Sequence, residues 1–68
     1  MNMFSKRLYQ LRMEAGLTQS QLAKILKTTQ RRVSYLEAGK VEPDLNTLIM
    51  IASHFEVSTD FLLGLKDY

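Results

Sequence analysis

Between Leu17 and Leu36 the sequence LTQSQLAKILKTTQRRVSYL fits two short helices with almost nothing between them. Leu22, Ala23 and Leu26 form one apolar stripe, and Val33 and Leu36 a second, both at helical spacing. Thr18 precedes the first stripe and Gln21 follows three residues later, the spacing of a capping box. Thr29 is placed to cap the second helix, which leaves only Lys27 and Thr28 as the connection. So short a turn keeps the two helices from running parallel, and the small Ala23 on the inner face lets them cross steeply. The second helix then stands proud of the body, in the attitude that fits a DNA major groove. The pattern is that of a helix-turn-helix.

The flanking segments extend the helical reading. Phe4, Leu8, Leu11 and Ala15 fall on one face of a first helix that Gly16 ends. Ala38-Gly39-Lys40 closes the third helix, and Lys40 to Pro43 form a loop. Asp44 is placed to cap a fourth helix with Leu45, Leu48, Ile49, Ala52 and Phe55 on one face. Ser58 is placed to cap a short fifth helix that Gly64 stops. No segment alternates with period two, and no repeat or linker interrupts the chain. The expectation is a compact all-α fold of five helices in one domain over residues 1–68. The helix-turn-helix covers about residues 18–37, and the last helix about 58–63.

Composition excludes several function classes. The 68 residues include no cysteine and a single histidine, His54, so neither a disulfide nor a zinc site is expected. His54 is read as surface or as a satisfied core residue. No apolar run approaches the ~20 residues of a membrane span, and the start MNMFSKRLYQ lacks a signal peptide's apolar core. A soluble, cytoplasmic chain is therefore expected. There is no triad-like constellation, phosphate-cradling glycine loop or paired buried carboxylate, so no enzyme, cofactor or small-molecule ligand is expected.

The net charge of +2 hides an asymmetry. Residues 1–40 carry Lys6, Arg7, Arg12, Lys24, Lys27, Arg31, Arg32 and Lys40 against only Glu14 and Glu37, a net +6. Residues 41–68 carry Lys66 against Glu42, Asp44, Glu56, Asp60 and Asp67, a net −4. A basic half around the exposed helix is the footprint of a nucleic-acid binder, although an excess this modest also arises by chance.

Around the axis of the helix from Gln30 to Ala38, Val33 and Leu36 point to the core while Gln30, Arg31, Ser34 and Tyr35 point away. Glutamine can pair with the N6/N7 edge of adenine, and arginine with O6/N7 of guanine. These four are the candidate base-reading residues; the competing reading makes them solvated helix surface. Arg32 lies toward the flank, better placed for a phosphate. Thr18, Gln19, Lys27, Thr29 and Lys40 complete the candidate backbone contacts. Arg12 and Glu37 each border an apolar stripe, where an unpaired charge is costly. They are read as an ion pair that fixes the angle of the third helix, against the alternative of two separate exposed charges.

The elements LRMEAGLTQSQLA, VSYLEAGKVEP and LIMIASHFEVSTDFLLG, in that order from about Leu8 to Gly64, resemble the lambda-repressor/Cro-like helix-turn-helix domains, also called the XRE family. The resemblance implies a five-helix DNA-binding fold, usually a homodimer on a palindromic operator, in a transcriptional regulator. It also implies that Gln19 binds a phosphate and braces Gln30, that Gln30 reads adenine, and that Thr29 caps the helix and contacts a thymine methyl. The family's buried Arg–Glu pair maps onto Arg12 and Glu37. Two positions depart from the pattern. Lys27 occupies a turn position that is usually glycine, and the loop Val41-Glu42-Pro43-Asp44 is acidic where some phage relatives place basic residues.

The C-terminal FLLGL supplies a further expectation. So short a helix, apolar on several sides, leaves Phe61, Leu63 and Leu65 to meet a second protomer, with Met50 and Tyr68 beside them. The alternative completes the core with Phe61 and Leu62 and leaves Leu63 and Leu65 singly on the surface. The leading reading is a sequence-specific regulator, a repressor, that binds double-stranded DNA as a homodimer. The alternative is an antitoxin or regulatory subunit whose apolar C-terminal patch binds another protein.

Overall fold

The computed structural model describes residues 3–68, and in it five helices follow one another. They are α1 (Phe4–Glu14), α2 (Gln19–Ile25), α3 (Gln30–Ala38), α4 (Leu45–Phe55) and α5 (Thr59–Leu63). No strand occurs among the described residues. Met1 and Asn2, the first two residues of the MNMFSKRLYQ start, lie outside them. No helix is long and apolar enough to cross a membrane among the described residues.

Local chemistry sets where the helices begin. At α2 the Thr18 hydroxyl accepts from the Gln21 amide (3.1 Å), while the Gln21 side-chain oxygen accepts from the Thr18 amide (2.8 Å). This is a complete capping box. Thr29 caps α3 through the Arg32 amide (3.1 Å), and Ser58 caps α5 through the Phe61 amide (2.9 Å). Asp44 holds the cap position of α4 with an extended backbone, but its carboxylate makes no capping bond. It accepts from the Thr47 hydroxyl and from Arg32 instead.

The helices also end alike. Gly16, Lys27, Gly39, Glu56 and Gly64 follow them with positive φ. In each case the next amide reaches back to a carbonyl of the last turn, as Thr28 does to Ala23 (2.9 Å) and Lys40 to Tyr35 (3.0 Å). Glycine adopts this conformation freely, whereas Lys27 (φ 57°) and Glu56 (φ 55°) carry a Cβ into it. The turn with Lys27 therefore keeps the shape that glycine usually provides.

The core gathers Phe4 and Leu8 of α1, Leu22 and Ala23 of α2 with Leu26 at its C-terminal cap, Val33 and Leu36 of α3, Ile51 of α4 and Leu62 of α5. Fully burying one such leucine contributes about 1.5–3 kcal/mol. Packing α3 between α1 and α2, and α5 between α1 and α4, encloses this core. Ala23, nearly fully buried, permits the close crossing of α2 and α3.

Two sequence expectations need correction. Ala15 lies beyond the end of α1 and is exposed, so it is not part of the buried stripe. On α4 the buried residue is Ile51, flanked by the partly buried Leu48, Ala52 and Phe55, whereas Leu45 and Ile49 are 76% and 59% exposed. The buried face is thus rotated from the one expected, because almost every side of LNTLIMIASHF is apolar.

Candidate nucleic-acid interface

A buried ion pair anchors the base of the site. Arg12 Nε donates to Glu37 Oε2 (2.6 Å) and Arg12 Nη2 to Glu37 Oε1 (3.0 Å), with both side chains less than a tenth exposed. Arg12 Nη1 donates to the Leu17 carbonyl (2.8 Å), and the Leu17 amide donates to the Arg12 carbonyl (3.1 Å). One arginine thereby straps the turn after α1 to the end of α3. The hydrogen bond to Glu37 raises the Arg12 pKa further above its ordinary value despite burial, so the guanidinium stays a cation.

From this pair a relay runs outward. Gln19 Nε2 donates to Glu37 Oε1 (3.1 Å), and Gln19 Oε1 accepts from Gln30 Nε2 (2.6 Å). A carboxylate only accepts, so Glu37 turns the Gln19 amide nitrogen inward. That leaves the Gln19 oxygen facing Gln30, which must answer with its own nitrogen. The orientation of a side chain at the surface is therefore fixed by a charge at the core boundary. Gln30 retains one amide hydrogen and its oxygen, the donor–acceptor pair that an adenine edge requires.

Gln30, Arg31 and Tyr35 are exposed on the outer face of α3, and Ser34 is partly exposed beside them. Lys40 Nζ lies 5.5 Å from the centre of the Tyr35 ring, so this lysine sits at the rim of the same face. Thr18, Lys27 and Thr29 are exposed at the start of α2 and in the turn. Arg32 is not a free cation, since its Nη2 lies 3.3 Å from Asp44 Oδ1. The Thr47 hydroxyl is the first cause, ahead of Arg32, that lowers the Asp44 pKa below the ordinary carboxylate value.

At the opposite end, Arg7 was not singled out from the sequence. Its Nη1 donates to the carbonyls of Phe61 (2.6 Å) and Lys66 (2.7 Å), and its guanidinium lies 4.2 Å from the centre of the Phe61 ring. Arg7 and Arg12 flank the Phe4–Leu8–Leu11 stripe of α1, one on each side. The edge-charge argument that pointed to Arg12 applies equally to Arg7. Phe61 is consequently covered in part by Arg7, and Met50 packs partly on the core. Leu63 is half-buried, while Leu65 and Tyr68 are 72% and 77% exposed.

This arrangement of helices and the chain's sequence agree in class. The helix-turn-helix family model matches residues 8–62, and the chain belongs to that family, in its lambda-repressor-like XRE branch. It is 43% identical over 61 residues to the SPbeta prophage-derived HTH-type transcriptional regulator YonR of Bacillus subtilis, covering 90% of this chain and 56% of YonR. With the HTH-type transcriptional regulator ImmR of the same organism it shares 39% over 59 residues, 87% of this chain and 46% of ImmR. A transcriptional regulator from Listeria innocua superposes with a TM-score of 0.90 at 36% identity, over 94% of this chain and 60% of that one. The P22 c2 repressor, solved with a synthetic operator, gives 0.87 at 21% identity over 97% and 100%, a likeness of fold. The chain spans about half the length of YonR and ImmR. These relatives are named as regulators rather than enzymes.

Proposed function

We propose that this chain is the DNA-binding unit of a sequence-specific transcriptional repressor that reads a palindromic operator as a homodimer. The observation that carries the reading is the relay from Arg12 through Glu37 and Gln19 to Gln30, which presents an oriented amide from an exposed helix. Orienting a surface glutamine in this way adds little to folding but prepares it for a base edge. Gln30 and Arg31 read bases, with Ser34 and Tyr35 completing the face. Thr18, Gln19, Lys27, Thr29 and Lys40 hold phosphates, and Arg32 joins them when released from Asp44. The names of YonR and ImmR as HTH-type transcriptional regulators support the regulatory part of this reading.

Pairing is assigned to the apolar C-terminal surface of Phe61, Leu63, Leu65 and Tyr68, with Met50 at its edge. In a symmetric dimer the two recognition helices stand about 34 Å apart, one turn of DNA. Selection of bound sites from random DNA, followed by titrations at several salt concentrations, tests the assignment. Arg31→Ala weakens the selected site by about 1–3 kcal/mol and relaxes preference at one position per half-site. Lys40→Ala weakens all sequences alike and makes the salt dependence shallower. Equal losses on selected and scrambled DNA for Arg31→Ala refute base reading. A strict monomer in sedimentation, with and without DNA, refutes the dimer.

A further inference from the structure

We infer that Asp44 is an internal competitor for DNA phosphate, holding Arg32 in an ion pair that must open before Arg32 can grip the backbone. The inference rests on the DNA-binding reading above and adds to it a residue that sets affinity without touching a base. Arg32 lies in the first turn of α3, immediately after the exposed Gln30 and Arg31, so its guanidinium is carried to the rim of the proposed interface. There it meets the Asp44 carboxylate at 3.3 Å. The Arg32 side chain is 39% exposed and that of Asp44 58%, so the pair faces solvent and adds little to folding.

Asp44 is itself held in place. Its Oδ1 also accepts the Thr47 hydroxyl, and its backbone occupies the cap position of α4. Its carboxylate makes no capping bond, leaving it directed at Arg32 and Thr47. The anchored partner is the acid, and the movable partner is the arginine on its long stem. An approaching phosphate therefore meets a cation already neutralised, beside a fixed negative charge. Binding through Arg32 exchanges one anion for another, and this pair releases fewer counterions than a free arginine does.

Asp44→Asn tests this directly, because asparagine keeps the shape, the cap position and an acceptor for Thr47. Wild type, Asp44→Asn, Arg32→Ala and the double variant are titrated by fluorescence anisotropy against a selected site and a scrambled duplex across a salt series. Asp44→Asn is expected to tighten both duplexes alike, about threefold to tenfold, and to steepen the log–log salt slope by about 1, the release of one more counterion at a phosphate that Arg32 already contacts. In the Arg32→Ala background the same substitution is expected to change affinity less than twofold. An equal effect in both backgrounds overturns the inference, since Asp44 would then repel phosphate without acting through Arg32. No effect in either background overturns it as well. Wild-type protein that binds no duplex overturns the DNA-binding reading, and the competitor role with it.

Discussion

Removing the Glu37 carboxylate is the most informative single perturbation, because that group serves both the fold and the proposed readout. In Glu37→Ala the Arg12 guanidinium stays buried and keeps only the Leu17 carbonyl of its hydrogen-bond partners. Breaking a buried pair from one side costs about 3–5 kcal/mol. At about 0.05–0.15 kcal/mol per residue, a chain this size has roughly 3–10 kcal/mol in total. Glu37→Ala is therefore expected to lose a large part of its stability. Replacing both partners with apolar residues of similar volume, Arg12→Met with Glu37→Leu, removes the orphaned charge and returns the protein close to wild type, since desolvation offsets most of the pair's attraction.

Urea unfolding followed by far-ultraviolet circular dichroism separates these outcomes. The double variant then isolates the second role. Gln19 has lost the acceptor that turned its amide, so Gln30 is free to present either face to a base. Affinity for a scrambled duplex should hold, while discrimination at the adenine assigned to Gln30 falls by part of the ~1–3 kcal/mol that a bidentate pair supplies. Glu37→Ala within 1 kcal/mol of wild type would refute the stability argument. A well-folded double variant with unchanged discrimination would refute the relay.

Two further expectations follow from strained or charged positions. Lys27→Gly and Glu56→Gly should each stabilise the fold by up to about 1 kcal/mol by relieving a left-handed Cβ. Thermal melts check this, and only Lys27→Gly should also weaken DNA binding if Lys27 holds a phosphate. The lowered Asp44 pKa means its contribution to stability is present above the ordinary value of 3.8 and is lost as pH falls through the depressed folded value. Acid unfolding of Asp44→Asn should accordingly have a shallower limb below about pH 4 than wild type.

The elements that local chemistry specifies were legible in the sequence. Thr18 with Gln21, Thr29 and Ser58 mark their helix starts through bonds made within three residues. Gly16, Gly39 and Gly64 mark helix ends in the same local way. The pairing of Arg12 with Glu37 was also legible, because two opposite charges at the edges of facing stripes have few ways to be satisfied. Arg7 followed the same logic with less readable partners: backbone carbonyls of residues 61 and 66, which carry no sequence signature, and at 3.8 Å the fully exposed Asp67 carboxylate, which burial does not single out. Arg32 with Asp44 was hidden for a related reason. Both are exposed, so nothing about burial demanded a partner, and only the path of the loop before α4 brings them together.

The buried face of α4 shows where periodicity stops being informative. With Leu45, Leu48, Ile49, Met50, Ile51, Ala52 and Phe55 spread around eleven residues, both the Leu45–Ile49 side and the Ile51 side satisfy a helical apolar stripe. Leu48, Ala52 and Phe55 belong to either choice. The decision falls to tertiary contact: α4 packs on α5, and Ile51 fills the core with no exposed surface. Ile51→Ala should therefore cost about 2–5 kcal/mol, the loss of the buried side chain plus the cavity it leaves. Ile49→Gln should stay within about 0.5 kcal/mol, since a 59% exposed residue exchanges water for water and glutamine suits a helix at least as well. Urea melts of the two variants at low micromolar concentration compare them. Equal costs, or a larger cost at Ile49, would mean that α4 is rotated about its axis and that the expected stripe is the buried one.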